Sequence, residues 1–300
     1  MKCSRLATAA LSVLLGACGS SGDLFEASTP PRGSSLEDVE NVRIWVTSTS
    51  AFSLYGHIYE PVAVADGEKT FADPTCPVTD DDGTTLTAAG DCTDADGVEH
   101  VGKLTVKRSA NGDHAVTFES YGTRKQGQTA DTRDGEGHVR RIDDTNHDFS
   151  LSLVHDAGLR ETIEYEGRVT GGYDGRTVWS GSGTVVRDGL LPPVGSAEVS
   201  TNAEVVDDDV CSGQPVSGNT MVKNTAEDTV VVTYDGDVDC DDDQAATYTL
   251  NAEPRGKITG ISCAASPGRT RAGGTLLAAL ALVSSGIAVR RRGERRRPRL

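Results

Sequence analysis

Hydrophobic and polar positions alternate with a period of two along most of this chain. Val42, Ile44 and Val46 are interleaved with Arg43, Trp45 and Thr47, and Phe52, Leu54, Gly56 and Ile58 with Ser53, Tyr55, His57 and Tyr59. Side chains two apart in a strand share a face, so the pattern predicts strands with one buried side. It recurs at Gly102-Leu104-Val106, Val116-Phe118, Phe149-Leu151-Leu153, Ile163-Tyr165, Val178 to Val186, Val230-Val232-Tyr234, Tyr248-Leu250 and Ile258 to Ile261. Between these runs lie Asn111-Gly112-Asp113, Asp156-Ala157-Gly158, Asp174-Gly175 and Asp235-Gly236, whose residues tolerate positive φ and suit tight hairpins. No segment of the body shows a helical stripe long enough to bury. Short strands joined by hairpins, without crossovers, predict an all-β fold, an antiparallel sandwich or barrel of many short hairpin-connected strands. Leu190-Leu191-Pro192-Pro193 is the best internal boundary of the predicted body, residues 41–262. The shorter part beyond it, Ala197 to Ser262, would be marginal alone, so one continuous β-domain with a sub-boundary near residues 190–196 is expected.

Two apolar runs interrupt this pattern at the ends. Leu6 to Leu15 follows Lys2 and Arg5 and is too short to span a bilayer, which is the layout of a secretory signal. Its end, Leu15-Gly16-Ala17-Cys18, resembles a bacterial lipobox, where small residues before the cysteine admit a signal peptidase and the thiol becomes acylated. The resemblance implies a signal peptide over residues 1–17, lipidation of Cys18 and stable anchoring by two or three acyl chains. Residues 18–40, rich in Ser, Pro and Gly, then read as a flexible tether, with Thr29-Pro30-Pro31 disfavouring helix. Ser34-Ser35-Leu36-Glu37 has the form of a capping box but is assigned to the same linker.

At the other end Thr275 to Val289 is weakly apolar, barely long enough to span even when counted from Ala272, and Arg290-Arg291-Arg292 follows it. The arginines favour the cytoplasmic side. Cys263, a Pro/Gly spacer, the apolar segment and the arginine cluster together resemble the tripartite C-terminal sorting tags of myxobacterial surface proteins. In that family the tag is removed and the cysteine region becomes the anchor. An ordinary tail-anchor helix is the competing reading of residues 263–300. The expected address is the cell envelope, at the outer membrane or cell surface, with terminal membrane segments as the contact with lipid.

The 300 residues are 36% hydrophobic and only 5% aromatic, which predicts a thin, sheet-based core. The formal charge of -16 understates the acidity of the body. Setting aside Lys2 and Arg5 of the leader and the nine arginines and Glu294 of the tail leaves 18 basic against 44 acidic residues, a charge of -26. Such a body is repelled by nucleic acid and anionic surfaces and attracts cations. No basic patch with interleaved aromatics points to nucleic acid.

Beyond Cys3 in the leader and Cys18, five cysteines remain: Cys76, Cys92, Cys211, Cys240 and Cys263. An oxidising compartment makes disulfides the default. The expected pairs are Cys76 with Cys92, whose loop of about sixteen residues is worth roughly 3 kcal/mol in the chain-entropy view, and Cys211 with Cys240. Zinc is the weaker alternative, since no CxxC spacing is present. The body, through Cys76-Pro77, Gly90-Asp91-Cys92-Thr93-Asp94 and Trp179-Ser180-Gly181-Ser182-Gly183, also resembles β-rich lipoproteins of the same bacteria, a group with no assigned reaction. That resemblance implies a pairing of Cys240 with Cys263 instead.

Two acidic clusters carry the candidate chemistry. Asp91, Asp94 and Asp96, with Glu99, surround Gly97, and Asp237, Asp239 and Asp241 alternate beside Cys240. Calcium takes six to eight oxygen ligands, which tight Asp-rich loops supply, although neither cluster has EF-hand spacing. Solvated turn tips are the competing reading. Ser180 and Ser182 lack the context of a nucleophile elbow, and His147-Asp148 with His155 reads as surface histidine rather than acid/base machinery. The sequence therefore predicts a lipid-anchored envelope protein with a structural or binding role and no catalytic activity. The alternatives are a β-barrel carrying an apolar ligand and a calcium-stabilised surface or adhesion module.

Overall fold

A computed structural model of the chain describes residues 34–125, 127–171, 176–189, 193–207, 211–235 and 246–261. The first two elements are helices, α1 (Val39–Thr49) and α2 (Ala51–Ala65), where the alternation at 42–46 and 52–58 reads as strand. The departure has a physical cause. Val42, Trp45, Val46 and Thr49 are the buried stripe of α1, so Val42 and Val46 satisfy the helical spacing as well as the alternating one. Two caps then decide: the Asp38 side chain accepts from the Glu40 N–H, and the Ser50 hydroxyl accepts from the Ser53 N–H. In α2, Phe52, Leu54, Tyr55, Ile58, Tyr59 and Val62 are all 9% exposed or less. Apolar on nearly every side, it has to be enclosed by other elements.

A single antiparallel sheet encloses it. Its strands are β1 (Val78–Asp81), β2 (Thr85–Ala89), β3 (Cys92–Thr93), β4 (Val98–Arg108), β5 (His114–Lys125), β6 (Asp131–Arg141) and β7 (Asn146–Asp156). They continue as β8 (Arg160–Thr170), β9 (Arg176–Asp188), β10 (Gly195–Asp207), β11 (Cys211–Asn224), β12 (Thr229–Asp235), β13 (Ala246–Leu250) and β14 (Glu253–Ile258). Each strand pairs with the next in sequence, except that β2 and β3 share one side of β4. The antiparallel, hairpin-connected β architecture expected from the alternation is thus what the chain builds. Its edges are β1 and β14, so the sheet is open, and helices cover its apolar face. The strands on either side of Leu190-Pro193, β9 and β10, pair with each other from Arg187↔Gly195 onward.

Bulges bend the sheet where it rounds the helix. Register shifts fall between Val101 and Lys103, between Phe118 and Tyr121, and between Thr201 and Glu204. At the first, Gly102 has φ +67°, and a Cβ there would run into the Glu119 and Ser120 backbone. Strands from β4 to β10 touch α2, and one hydrophobic cluster joins both helices to strands from β2 to β14. Its aromatic centre is Tyr55, with ring centroids 5.1 Å from Phe149 and 5.3 Å from Trp179, and Phe52, 5.2 Å from Trp179. Gly167 makes room for this packing, since a Cβ there would overlap the Phe149 ring.

Polar bonds fix the helices in register with the sheet. The Ala51 N–H donates to Thr201 Oγ1 at 2.9 Å, and Arg43 Nε donates to the Thr259 carbonyl at 2.8 Å. Packing also extends into residues assigned above to the tether: Leu36 is 1% exposed, and Ser34 exchanges two hydrogen bonds with the Val194 backbone. Among the described residues no helix is long and apolar enough to cross a membrane. The two terminal apolar runs lie outside the described residues.

Tyr55→Ala is expected to cost about 3–5 kcal/mol in urea unfolding, because it opens a cavity at the aromatic centre. Val78→Ala, at a position 59% exposed, is expected to stay within about 0.5 kcal/mol of the parent. Equal midpoints for the two variants would contradict the central place given to α2.

Candidate functional site

Where α2 passes beneath β4, β5 and β6, the packing leaves a cavity of about 300 Å³. Gly56, His57, Glu60 and Pro61 of α2 form one wall. Pro61 lies inside the helix and has no N–H, so the His57 carbonyl lacks its usual helical donor. The opposite wall is the inner side of the sheet, with Leu104, Phe118, Tyr121, Asp131 and Arg133. A third wall comes from Phe71 to Asp73 after α2 and from Asp94 and His100 of the β3–β4 hairpin.

This third wall is clasped twice. The Cys76–Cys92 disulfide, one of the two expected from spacing, joins the segment after α2 to β3. Beside it Asp73 accepts from the Thr75 N–H at 2.7 Å and hydroxyl at 2.6 Å, and its other oxygen accepts from the Ala95 N–H at 2.9 Å. These bonds hold its carboxyl well below the usual range, at about 2, so Asp73 is anionic at any ordinary pH. Asp94 accepts from the Val98 N–H at 2.8 Å and the Asp96 N–H at 3.0 Å, which shapes the hairpin and lowers its pKa. Its second oxygen faces His100 Nε2 at 3.3 Å.

His57 and Arg133 stand between this cavity and a row of charges crossing the sheet. Arg133 Nε donates to His57 Nδ1 at 3.3 Å, so His57 is the neutral tautomer with its proton on Nε2. Burial among protein groups, followed by the charges of Arg133 and His155, pushes its pKa down to about 3. The sheet register sets Arg133 opposite His155, His155 opposite Glu161, and Glu161 opposite Arg187 on four successive strands. His155 Nε2 lies 2.9 Å from Asp131 Oδ1 and its Nδ1 3.3 Å from Glu161 Oε2. Burial opposes protonation of His155, yet the two carboxylates prevail and raise its pKa. Burial likewise opposes ionisation of Glu161, and the His155 hydrogen bond with the Arg187 charge overcomes it, lowering the pKa to about 2. Arg187, 1% exposed, donates to Glu161 at 2.7 Å and to the Ser48 hydroxyl, and its guanidinium lies 4.1 Å from the centre of the Trp45 ring. The row ties α1 to the sheet and ends at the cavity.

The candidate residues read from sequence fall apart differently. Asp94 lines the cavity, whereas Asp91 and Asp96 are exposed turn residues. Among the described residues no group of three or more acidic, histidine or cysteine side chains is placed to hold a metal ion, Asp91, Asp94 and Asp96 included. Cys18, Cys240, Cys263, Asp237, Asp239 and Asp241 lie outside the described residues, and Cys211 is placed only as the first residue of β11. The histidines expected at the surface are not there: His147 is 9% exposed and the His155 side chain 17%. Sequence reading missed His57, Arg133, Asp131 and Glu161. Cross-strand register, which unites Arg133, Asp131 and Glu161, exists only once the strands are paired, and His57 joins them only when α2 packs on the sheet. A wider groove of about 620 Å³ on the outer face of β6 to β9 is a poorer site, because Arg140 and Arg168 there are both paired with Asp148.

Compared with known proteins, the chain matches no protein family, no curated protein and no solved structure.

The titrations fix a pH dependence. Below about pH 6.5 the unfolded chain protonates His57 while the folded chain does not until about pH 3, so stability falls as pH drops through that window. His155 acts in reverse: its contribution is complete below about pH 6.5 and is lost as pH rises through its raised folded value. His57→Gln is expected to flatten the acid limb, by less than the single-proton ceiling of about 1.4 kcal/mol per pH unit because the ring is partly open to the cavity. His155→Gln is expected to remove the alkaline loss. Urea midpoints measured from pH 3 to 9 check both, and parallel curves for parent and variants would refute the assignment.

Proposed function

We propose that this protein is a lipid-anchored receptor of the cell envelope, whose body binds a small polar molecule and performs no chemistry on it. The observation that carries the reading is the cavity under α2, enclosed on three sides and lined by groups fixed before any ligand arrives. Its volume lies at the lower end of the usual range for small-molecule sites. The lining, with Glu60, Asp73, Asp94, Asp131 and Arg133, favours a polar ligand over the apolar cargo considered as an alternative. The nearby imidazoles support binding rather than catalysis. His57 lines the cavity with its Nδ1 held by Arg133, and His155, behind the lining, has both nitrogens held by carboxylates, so both rings are fixed in place. Anchorage at Cys18, with the Ser/Pro/Gly tether, places such a receptor at the outer membrane or cell surface.

Two measurements on protein from its native host test this. Intact mass and acyl analysis is expected to find a chain beginning at an acylated Cys18; a chain starting at Met1 with a free thiol would remove the anchor. A chemically mixed fragment set, followed by thermal shift, is expected to give hits that vanish in Ala72→Trp, which plugs the exposed rim of the cavity. Hits that persist in that variant, or no hits in the parent, would remove the receptor.

A further inference from the structure

We infer that the cavity selects a small organic cation, an ammonium or amidinium compound of modest size. The inference rests on the receptor reading above and names its ligand class. Four carboxylates reach the cavity from four separate parts of the chain: Glu60 from α2, Asp73 from the segment after it, Asp94 from the β3–β4 hairpin and Asp131 from β6. Arg133 is the single Lys or Arg in the described lining, and its Nε is committed to His57. Four carboxylates against one guanidinium give the lining an excess of three acidic over basic side chains, the imidazoles aside. A charge of that sign inside a partly enclosed cleft focuses cations from solution, and the strongly acidic body adds to the steering.

The spacing of these carboxylates decides between a metal ion and a molecule. They share one cavity, yet among the described residues no three acidic or histidine side chains close around a common point. A bare divalent ion needs several oxygens within coordination distance at once. A molecular cation instead spreads its donors over several angstroms and meets separated acceptors through charged hydrogen bonds. The volume equals that of about ten molecules of liquid water, which sets the size. The rest of the lining fits an organic frame: Phe71, Phe118 and Tyr121 supply aromatic surface on which a cation or its carbon skeleton rests. The His57 carbonyl, left by Pro61 without its helical donor, is one more acceptor on a lining residue.

Titration calorimetry of the full-length protein at low ionic strength, with benzylamine, benzamidine, benzyl alcohol and benzoate as probes, tests the class. The two cations are expected to bind saturably and at least about tenfold more tightly than the neutral alcohol, with no heat from benzoate. Asp131→Asn is expected to weaken the cations by about tenfold. Because Asp131 also holds His155, Glu60→Gln serves as the second variant: on the exposed side of α2, it is expected to weaken the cations with an unchanged thermal midpoint. Benzyl alcohol or benzoate binding as tightly as the amines, or calcium chloride displacing benzylamine stoichiometrically, would overturn the organic-cation class and leave the receptor standing. Silence from all four probes also overturns it, and the receptor itself falls only if the mixed fragment set is silent too.

Discussion

The architecture depends on one constraint: α2 is apolar around most of its circumference and can leave only the narrow side bearing Glu60 to water. A flat sheet covers only one side of a helix. The chain meets the constraint by continuing one meander through strand after strand, with bulges at Gly102, Ser120 and Ala203 turning it, until β4 to β10 all reach the helix. Five of the fourteen aromatic residues of the chain gather at this point. Phe52, Tyr55, Phe149, Tyr165 and Trp179 meet there, and Gly167, Gly181 and Gly183 on β8 and β9 leave the space their rings need. Aromatic pairs at these separations add roughly 0.5–1.5 kcal/mol each beyond the area they bury, so a few rings do what many aliphatic side chains do elsewhere.

The second organising feature is polar. A row of titratable side chains, Arg133, His155, Glu161 and Arg187, crosses four strands on the helix-facing side of the sheet, with Glu161 between His155 and Arg187. Burying Arg187 is costly in isolation. It is tolerated because Glu161, the Ser48 hydroxyl and the Trp45 ring all meet the guanidinium, while Glu161 also meets His155. Pairs of this kind contribute little net stability compared with apolar packing of equal volume. Their physical consequence is register: slipping any of these strands by one residue would bury a charge without its partner. The row therefore fixes which strands lie over which helix, and so the position of the cavity at its end.

Much of this fold was legible in the chain. The alternation at Phe149-Leu151-Leu153 and Ile163-Tyr165, the turns at Asn111-Gly112-Asp113 and Asp156-Ala157-Gly158, and the pairing of Cys76 with Cys92 all appear as read. The reading failed at α1 and α2 because Val42 and Val46 fit both periods, and because β-branched and aromatic residues there argue for strand when no partner is considered. The deciding marks, Asp38 and Ser50 as caps, are single residues outside the periodic stretch. β6 shows no clean alternation, since it is largely exposed and carries Gly135 and Gly137. The cavity was not legible at all: its walls come from α2, the loop after it, the β3–β4 hairpin, β5 and β6, and no local pattern links them.

That scattered origin also explains why the cavity is left open. Two local devices hold the elements around it apart: Pro61, which interrupts the hydrogen bonding of α2, and the break at Gly90-Asp91, which separates β2 from β3 along the same edge of β4. An apolar side chain reaching into the gap would have to lie against the Asp73 and Asp94 carboxylates and the Arg133 guanidinium and strip them of solvent, which is unfavourable. Closing the gap by moving the third wall inward would strain the disulfide and the Asp73 to Ala95 bond together. The arrangement that avoids both costs is a cleft with rigid walls in which carboxylates outnumber the one guanidinium.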